Sequence, residues 1–253
     1  MLKTVLADLS KSFTKTDMKT VVVYPSDTNK LRVSCCSDDK QYYVFGESIN
    51  DGWTEKEFAF RDWNSVSSMI SSFYSYDEPE KCSMTLEKNS EDYPTVLKIK
   101  NGRMKMTHYL QNYTFISRQD DLLNNYKGKK FQLKGFDENY FTDFSADTMS
   151  RITKLSALTG AKHFRVGLED RDLYFYFGDE TKTIDNAKIC VCEDYQVDFK
   201  DKGLFFAVEY LAIAVSALKD QNMKIKYDGG VITLCGENDV SSKVMAIVGK
   251  KEV

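Results

Sequence analysis

Proline and glycine are scarce, 3 and 13 in 253 residues, which excludes collagen-like and linker-like chains. With 42% hydrophobic and 29% charged residues the chain also has too much apolar content to remain disordered. No run approaches the ~18 apolar residues of a membrane helix. The N-terminal stretch MLKTVLADLSKSF mixes acid, base and polar groups where a signal peptide carries an apolar core. The expectation is a soluble, intracellular, cytoplasmic protein with no membrane partner. Neither sign of charge dominates: 35 Lys and Arg against 38 Asp and Glu leave −3. Bulk attraction to nucleic acid is therefore not indicated, and any polyanion site must be local.

Metal-binding and catalytic vocabulary is equally thin. The 2 histidines, His108 and His163, stand apart from the cysteines and from any H-E-x-x-H pattern, so a zinc site lacks its usual ligands. The 6 cysteines (Cys35, Cys36, Cys82, Cys190, Cys192, Cys235) show no C-x-x-C and no extracellular framework, and read as reduced core residues. There is no G-x-G-x-x-G, Walker loop, G-x-S-x-G or kinase signature. What is left for an enzyme is a carboxylate cluster, Glu169, Asp170, Asp172 and Asp179, which a hairpin turn explains better. No cofactor, metal or catalytic activity is expected.

What is present is repetition, with a period of about 140 residues. An amphipathic segment opens the first half: Leu2, Val5, Leu6, Leu9 and Phe13 recur at helical spacing through Leu2 to Lys15. Short β-rich runs follow at Thr20 to Tyr24, Leu31 to Cys36, Tyr42 to Glu47 and Glu55 to Phe60. A second helix spans Asp62 to Phe73, with Trp63, Val66, Met69, Ile70 and Phe73 in one stripe. Strands at Cys82 to Glu87, Val96 to Ile99 and, after Asn101-Gly102, Met104 to Tyr109 close the half.

The second half keeps that order. A strand-like run, Phe131 to Phe144, leads to a helix from Ala146 to Leu158 with Ser145 as N-cap and Gly160 beyond its end. Strands come next at His163 to Leu168, Leu173 to Phe177, Ala187 to Cys192 and Gly203 to Phe206, then a helix from Val208 to Lys219. The last strands are Met223 to Tyr227, Val231 to Cys235 and Lys243 to Val248. The D-W-x-x-V of Asp62, Trp63 and Val66 aligns with the E-Y-x-x-I of Glu209, Tyr210 and Ile213, each after a Phe-rich strand. Between the halves, Ser117 to Lys130 is polar and aperiodic, a linker. Two adjacent leucines, Leu122 and Leu123, stand out in it. They either tack the loop to the body or form a wall for a partner peptide.

This tandem order of helix and hairpin strands, with a loop in the middle, resembles the DNA sliding clamps. Phe206-Ala207-Val208-Glu209-Tyr210-Leu211 is similar to the F-A-L-x-Y-L segment of proliferating cell nuclear antigen. Length and overall match are nearer the T-even phage clamp, and hence a viral protein of the host-cell cytoplasm. The resemblance covers the whole chain and implies an α+β duplicated clamp fold, two similar domains each with two helices packed on antiparallel sheets. The domains would be 1–116 and 131–253, joined by an interdomain connecting loop, 117–130. It further implies a head-to-tail homotrimeric ring around double-stranded DNA, opened and closed by a clamp-loader ATPase. DNA polymerase would hold on through a short peptide docked beside the connecting loop. The runner-up is a non-ring binding or virion structural protein sharing the duplicated fold.

The residues carry this further. A ring that slides needs phosphate contacts without base readout. On the first helix Lys11 lies opposite the apolar stripe and Lys15 near it; on the third, Met149, Ile152 and Leu155 define the buried face, leaving Lys154 opposite and Arg151 on the flank. Arg61 and Lys219 sit at the ends of the other two helices. Asn64, Ser65, Ser68 and Ser72 offer small polar groups for water-mediated contact. The partner-peptide site is expected at Leu122 and Leu123, with Tyr126 and one face of the last strand. That face is either Met245 and Ile247 or Val244, Ala246 and Val248. Edge strands near Met104 to Tyr113 and Ala187 to Cys192 are expected to join neighbouring subunits.

Overall fold

The computed structural model describes Leu6 and residues 20–26, 28–75, 81–111, 142–178, 186–197, 199, 202–219 and 221–251. Lys11, Lys15, Leu122, Leu123, Tyr126 and Asp179 lie outside them, as do all but Leu6 of the first expected helix and all of the connecting loop. Leu6 itself is helical and fully buried.

The first run of elements is β1 (Val21–Pro25), β2 (Leu31–Cys36), β3 (Tyr42–Ser48), β4 (Phe58–Phe60), α1 (Trp63–Ser75), β5 (Ser83–Lys88), β6 (Pro94–Asn101) and β7 (Met104–Tyr109). The second is β8 (Thr142–Asp143), α2 (Ala146–Thr159), β9 (His163–Glu169), β10 (Asp172–Phe177), β11 (Ala187–Cys192), β12 (Phe205–Ala207), α3 (Val208–Leu218), β13 (Lys224–Tyr227), β14 (Val231–Glu237) and β15 (Ser241–Val248). The chain divides into two compact units, one of residues 1–38, 43–136 and 238–243, the other of residues 39–42, 137–237 and 244–253. Each unit borrows a short segment from the far side of the sequence, which no linear boundary expresses.

The duplication is visible in strand order. In the first unit the strands run β4-β1-β2-β3, in the second β12-β9-β10-β11, so both read fourth, first, second, third. A helix follows the fourth strand in each, and then an antiparallel trio, β5-β6-β7 or β13-β14-β15, with β8 added beside β13. All the registered pairs are antiparallel, as hairpin-connected strands must be.

Packing explains the composition. In the first unit Phe58, Phe60, Trp63, Val66 and Ile70 are all fully buried, and Phe60 meets Phe58 at 5.5 Å, Trp63 at 5.0 Å and His108 at 5.9 Å between ring centres. In the second, Phe164 stacks on Phe175 at 4.4 Å and lies 5.8 Å from Phe206, which meets Tyr227 edge-on at 5.7 Å. These rings fill each core beneath the helices, where they contribute more than their buried area alone. Helix α2 starts and stops where its caps dictate: the Ser145 hydroxyl accepts from Thr148 N–H at 3.0 Å, and Gly160 ends it with φ 65°.

Differences from the expected bounds have local causes. Strand β4 begins at Phe58 rather than Glu55. Glu55 is drawn into an ion pair with Lys88 at 2.7 Å, and Lys56 donates to the Glu91 carbonyl at 2.7 Å. The β12 strand begins after Gly203, whose φ of 59° interrupts extended backbone. In the β6–β7 hairpin Asn101 pairs with Met104, so the two loop residues are Gly102 and Arg103, with Gly102 at φ 54°.

Candidate functional site

Arg151 and Lys154 are exposed on α2, while Met149 and Ile152 are buried and Leu155 is half-buried. Arg151 holds Asp147 one turn back at 2.8 Å, a solvated pair that leaves part of the guanidinium free to turn outward. Arg61, just before α1, and Lys219, at the C-cap of α3, are both exposed. On α1, Asn64, Ser65, Ser68 and Ser72 are exposed as expected. The hydroxyl protons are committed, however: Ser68 donates to the Asn64 carbonyl and Ser72 to the Ser68 carbonyl, each at 2.8 Å. Toward solvent these two serines offer lone pairs, not donors, so any phosphate near them is met through a water that donates both ways.

Among the strands that end a sheet are the two expected to join neighbouring subunits. In β5-β6-β7, β7 is an edge; in β11-β10-β9-β12, β11 is an edge. Tyr109, the last residue of β7, is 77% exposed, one of only two large apolar side chains left so open among the described residues. On β11, Ile189 and Val191 are half-exposed, and a register shift opposite Leu173 and Tyr174 bulges the strand at Val191. Edge strands of apolar character are ordinarily paired or covered.

The last strand departs from expectation. Met245 and Ile247 are fully buried, and Val244 and Ala246 nearly so, so neither alternating face is available as a groove wall. The strand is interior on both sides, and the alternation that decides a half-buried strand does not apply. Of its apolar residues only Val248, at its end, is half-exposed. From there the backbone is pinned: Val248 N–H donates to the Gln41 carbonyl (2.8 Å), Gly249 N–H to Gly230 (3.0 Å), and Lys250 exchanges both bonds with Phe205 (2.8 and 3.0 Å). A Cβ on Gly249 would fall 2.6 Å from Phe206 Cζ and 2.8 Å from Leu204 Cβ, so only glycine lets the chain cross here. Val248, Gly249 and half-exposed Leu204 therefore form one small surface, which the alternation of the strand did not single out.

The described members of the carboxylate cluster belong to a hairpin. Asp170 and Arg171 form the two-residue turn between Glu169 and Asp172, both at positive φ (50° and 75°), the geometry of a tight hairpin. Glu169 accepts the Tyr176 hydroxyl at 2.9 Å and pairs with Lys188. The Lys188 ammonium and the Tyr176 hydroxyl hold its carboxyl below the usual range, the wrong direction for a general acid. Beside it, Tyr195 donates to the Tyr227 carbonyl at 2.7 Å and accepts Tyr227 N–H at 2.6 Å. Burial pushes its phenol up to about 12. The cysteines are free thiols, Cys35 and Cys82 in the core, and among the described residues no cluster of three His, Cys, Asp or Glu could hold a metal ion.

No family model matches the chain, and no curated protein does. Solved structures do. A PCNA from A. fulgidus, in complex with the C-terminal region of FEN-1, is 11% identical and superposes with a TM-score of 0.62 over 99% of this chain and 97% of its own. Proliferating Cellular Nuclear Antigen from Entamoeba histolytica gives 11% identity and 0.63 over 98% and 96%. The DNA polymerase III beta subunit of Borrelia burgdorferi, in complex with a natural product, gives 10% identity and 0.66 over all of this chain and 62% of its own. At such identities the likeness speaks of architecture, and with strand order, duplication and full-length coverage in agreement, this chain has the fold of the DNA sliding clamps.

Proposed function

We propose that the protein is a processivity clamp of viral, phage-type origin: a head-to-tail homotrimer that encircles duplex DNA and tethers a polymerase at the primer end. Tethering raises the polymerase's effective concentration without any catalytic step. The observation that carries the reading is the pair of edge strands, β7 in one unit and β11 in the other. A heterologous contact between two different edges of the same chain closes into a ring when its rotation permits. Tyr109 and half-exposed Ile189 and Val191 are the apolar groups such a contact would cover.

In this reading Arg61, Arg151, Lys154 and Lys219, with Lys11 and Lys15, face the DNA through phosphate contacts alone. The partner peptide docks on Leu122, Leu123 and Tyr126, with Val248 and Leu204 in place of the buried Met245 and Ile247. A clamp-loader ATPase opens the ring.

The test combines mass and topology. Light scattering on a size-exclusion column should give three times the 29.1 kDa of one chain. Rings loaded on nicked circular DNA should stay with it and slide off once it is linearised. A monomer at concentrations well above micromolar, with no topological retention, favours the non-ring binding protein instead.

A further inference from the structure

The antiparallel trio β5-β6-β7 has a second face that the clamp reading leaves without a task. Its inner face carries Leu97 and Ile99, both buried, and half-buried Met84, Leu86, Met104 and Met106. The register fixes the outer face in rows. Ser83, Lys100 and Lys105 stand side by side, and in the next row Thr85, Lys98 and Thr107. All six are exposed. Rows are ~7 Å apart and strands ~5 Å, so the six side chains form one compact plate. Arg103, exposed in the hairpin loop, adds a fourth cation at its end.

Charge on this plate is unbalanced. Only Lys98 has an acidic neighbour, Glu87, in an ion pair. Lys100, Arg103 and Lys105 have no ion-pair partner among the described residues. Lys100 and Lys105 lie directly opposite each other, a like-charge pairing that works against the sheet. Nothing in the fold demands it. The equivalent hairpin of the second half, β14 to β15, carries Glu237 at the end of β14 and Asn238 and Asp239 in its turn. In a chain of net charge −3, an uncompensated basic plate is a local feature that a polyanion would relieve.

We propose that this face binds the phosphate backbone of a nucleic-acid strand, in addition to and independently of any duplex held by the helices. Lys100, Arg103 and Lys105 supply charge, and the hydroxyls of Ser83, Thr85 and Thr107, interleaved in the same rows, supply phosphate hydrogen bonds without base readout. An acidic peptide fits less well: β7 is an open edge, but the two rows of cations and hydroxyls hold no apolar pocket, and the nearest apolar groups, Val96 and Tyr109, stand one row beyond them.

The experiment uses the full-length protein and a short fluorescent dT20 strand, too short and too open-ended to be retained topologically. Anisotropy is followed over a salt series for wild type, for the triple variant Lys100→Gln, Arg103→Gln, Lys105→Gln, and for Arg151→Gln, Lys154→Gln. With three phosphates no longer neutralised, at ~0.7 each, the triple variant should flatten the slope of log affinity against log salt by about 2, and by the same amount in a protein that also carries the helix substitutions. A blunt 20-base-pair duplex in parallel tells whether the backbone recognised is single- or double-stranded. The proposal is overturned if the triple variant binds dT20 with an unchanged slope, or if the helix variant alone abolishes binding. It is overturned equally if polyglutamate of the same charge displaces dT20 as well as unlabelled dT20 does. Because no ring is required, these outcomes are independent of the trimer mass and of retention on circles.

Discussion

Tyr109 offers the sharpest test of ring closure. Its ring is 77% exposed at the end of an edge strand. Of the ~200 Å² that a tyrosine can bury, about 150 Å² is thus left for a neighbour to cover, and at 25 cal/mol/Å² full coverage contributes about 4 kcal/mol per contact. Incomplete burial and the hydroxyl's own hydration bring this to about 3 kcal/mol, or roughly a hundredfold in the dissociation constant of each subunit contact. A closed ring has three such contacts and its dilution midpoint scales as the square root of the overall dissociation constant, so Tyr109→Ala should shift the trimer-to-monomer transition, followed by mass photometry or sedimentation equilibrium on dilution, to about a thousandfold higher concentration. Being exposed, the residue can be truncated with the thermal transition of the monomer nearly unmoved. Leu158 is the matched control: it is 75% exposed but sits on helix α2 and not on an edge strand, and Leu158→Ala should leave the transition in place. A Tyr109→Ala protein that stays trimeric to the same dilution as wild type refutes the edge assignment, as does equal disruption by Leu158→Ala.

Four other outcomes are expected. Tyr195→Phe removes the hydroxyl that bonds both the N–H and the carbonyl of Tyr227, and should cost about 2 to 4 kcal/mol in urea unfolding. The same phenol, about 12 when folded against ~10 when unfolded, favours the folded state below pH 10, and that contribution should fade between pH 10 and 12 in wild type only. Burial lowers the His108 pKa, against a smaller opposing pull from Asp62. The unfolded chain thus takes up its proton first, and stability should fall as pH drops below about 6.5. His108→Phe, which keeps a ring against Phe60, should flatten that fall in the urea midpoint between pH 7.5 and 5.5. Reversing Arg151 and Lys154 to Glu should weaken retention on circular duplex DNA equally for all sequences, flattening the salt slope by ~0.9 for each phosphate released, with the trimer intact.

The sequence was most informative where one face of an element meets water. The Met149 and Ile152 spacing of α2, its Ser145 and Gly160 caps, and the alternating strands β9 and β10 all announce themselves, because periodicity records burial on one side. It was silent where both sides are buried. The run Lys243 to Val248 looks like any apolar strand, and only its neighbours reveal that Met245 and Ile247 face protein. Val248 was named on one of the two alternating faces, but Leu204 escaped notice, because their surface is assembled by backbone bonds from Gln41, Gly230 and Phe205, distant in sequence. The basic plate was legible in principle: K-I-K-N-G-R-M-K alternates charge and apolar groups across a two-residue turn. The serines of α1 were placed correctly, but where their protons go depends on rotamers that no spacing encodes.

The interleaving of the two units has a consequence for synthesis. The first unit counts residues 238–243 among its own, so when the ribosome has made everything up to the middle of the chain, that unit still lacks a strand segment some hundred residues from being translated. Folding domain by domain from the N-terminus, usual for tandem chains, is closed to it. Both halves must reach their final form almost together, after the last strand has left the exit tunnel. Until then β7 and β11 stand open beside an unfinished core, and the nascent chain is exposed to pairing with its own copies on the same messenger. Synonymous codons that slow translation just before residue 238 should therefore lengthen that exposed interval and lower the soluble yield, while the same codons placed before residue 20, when neither edge strand has yet been made, should do nothing.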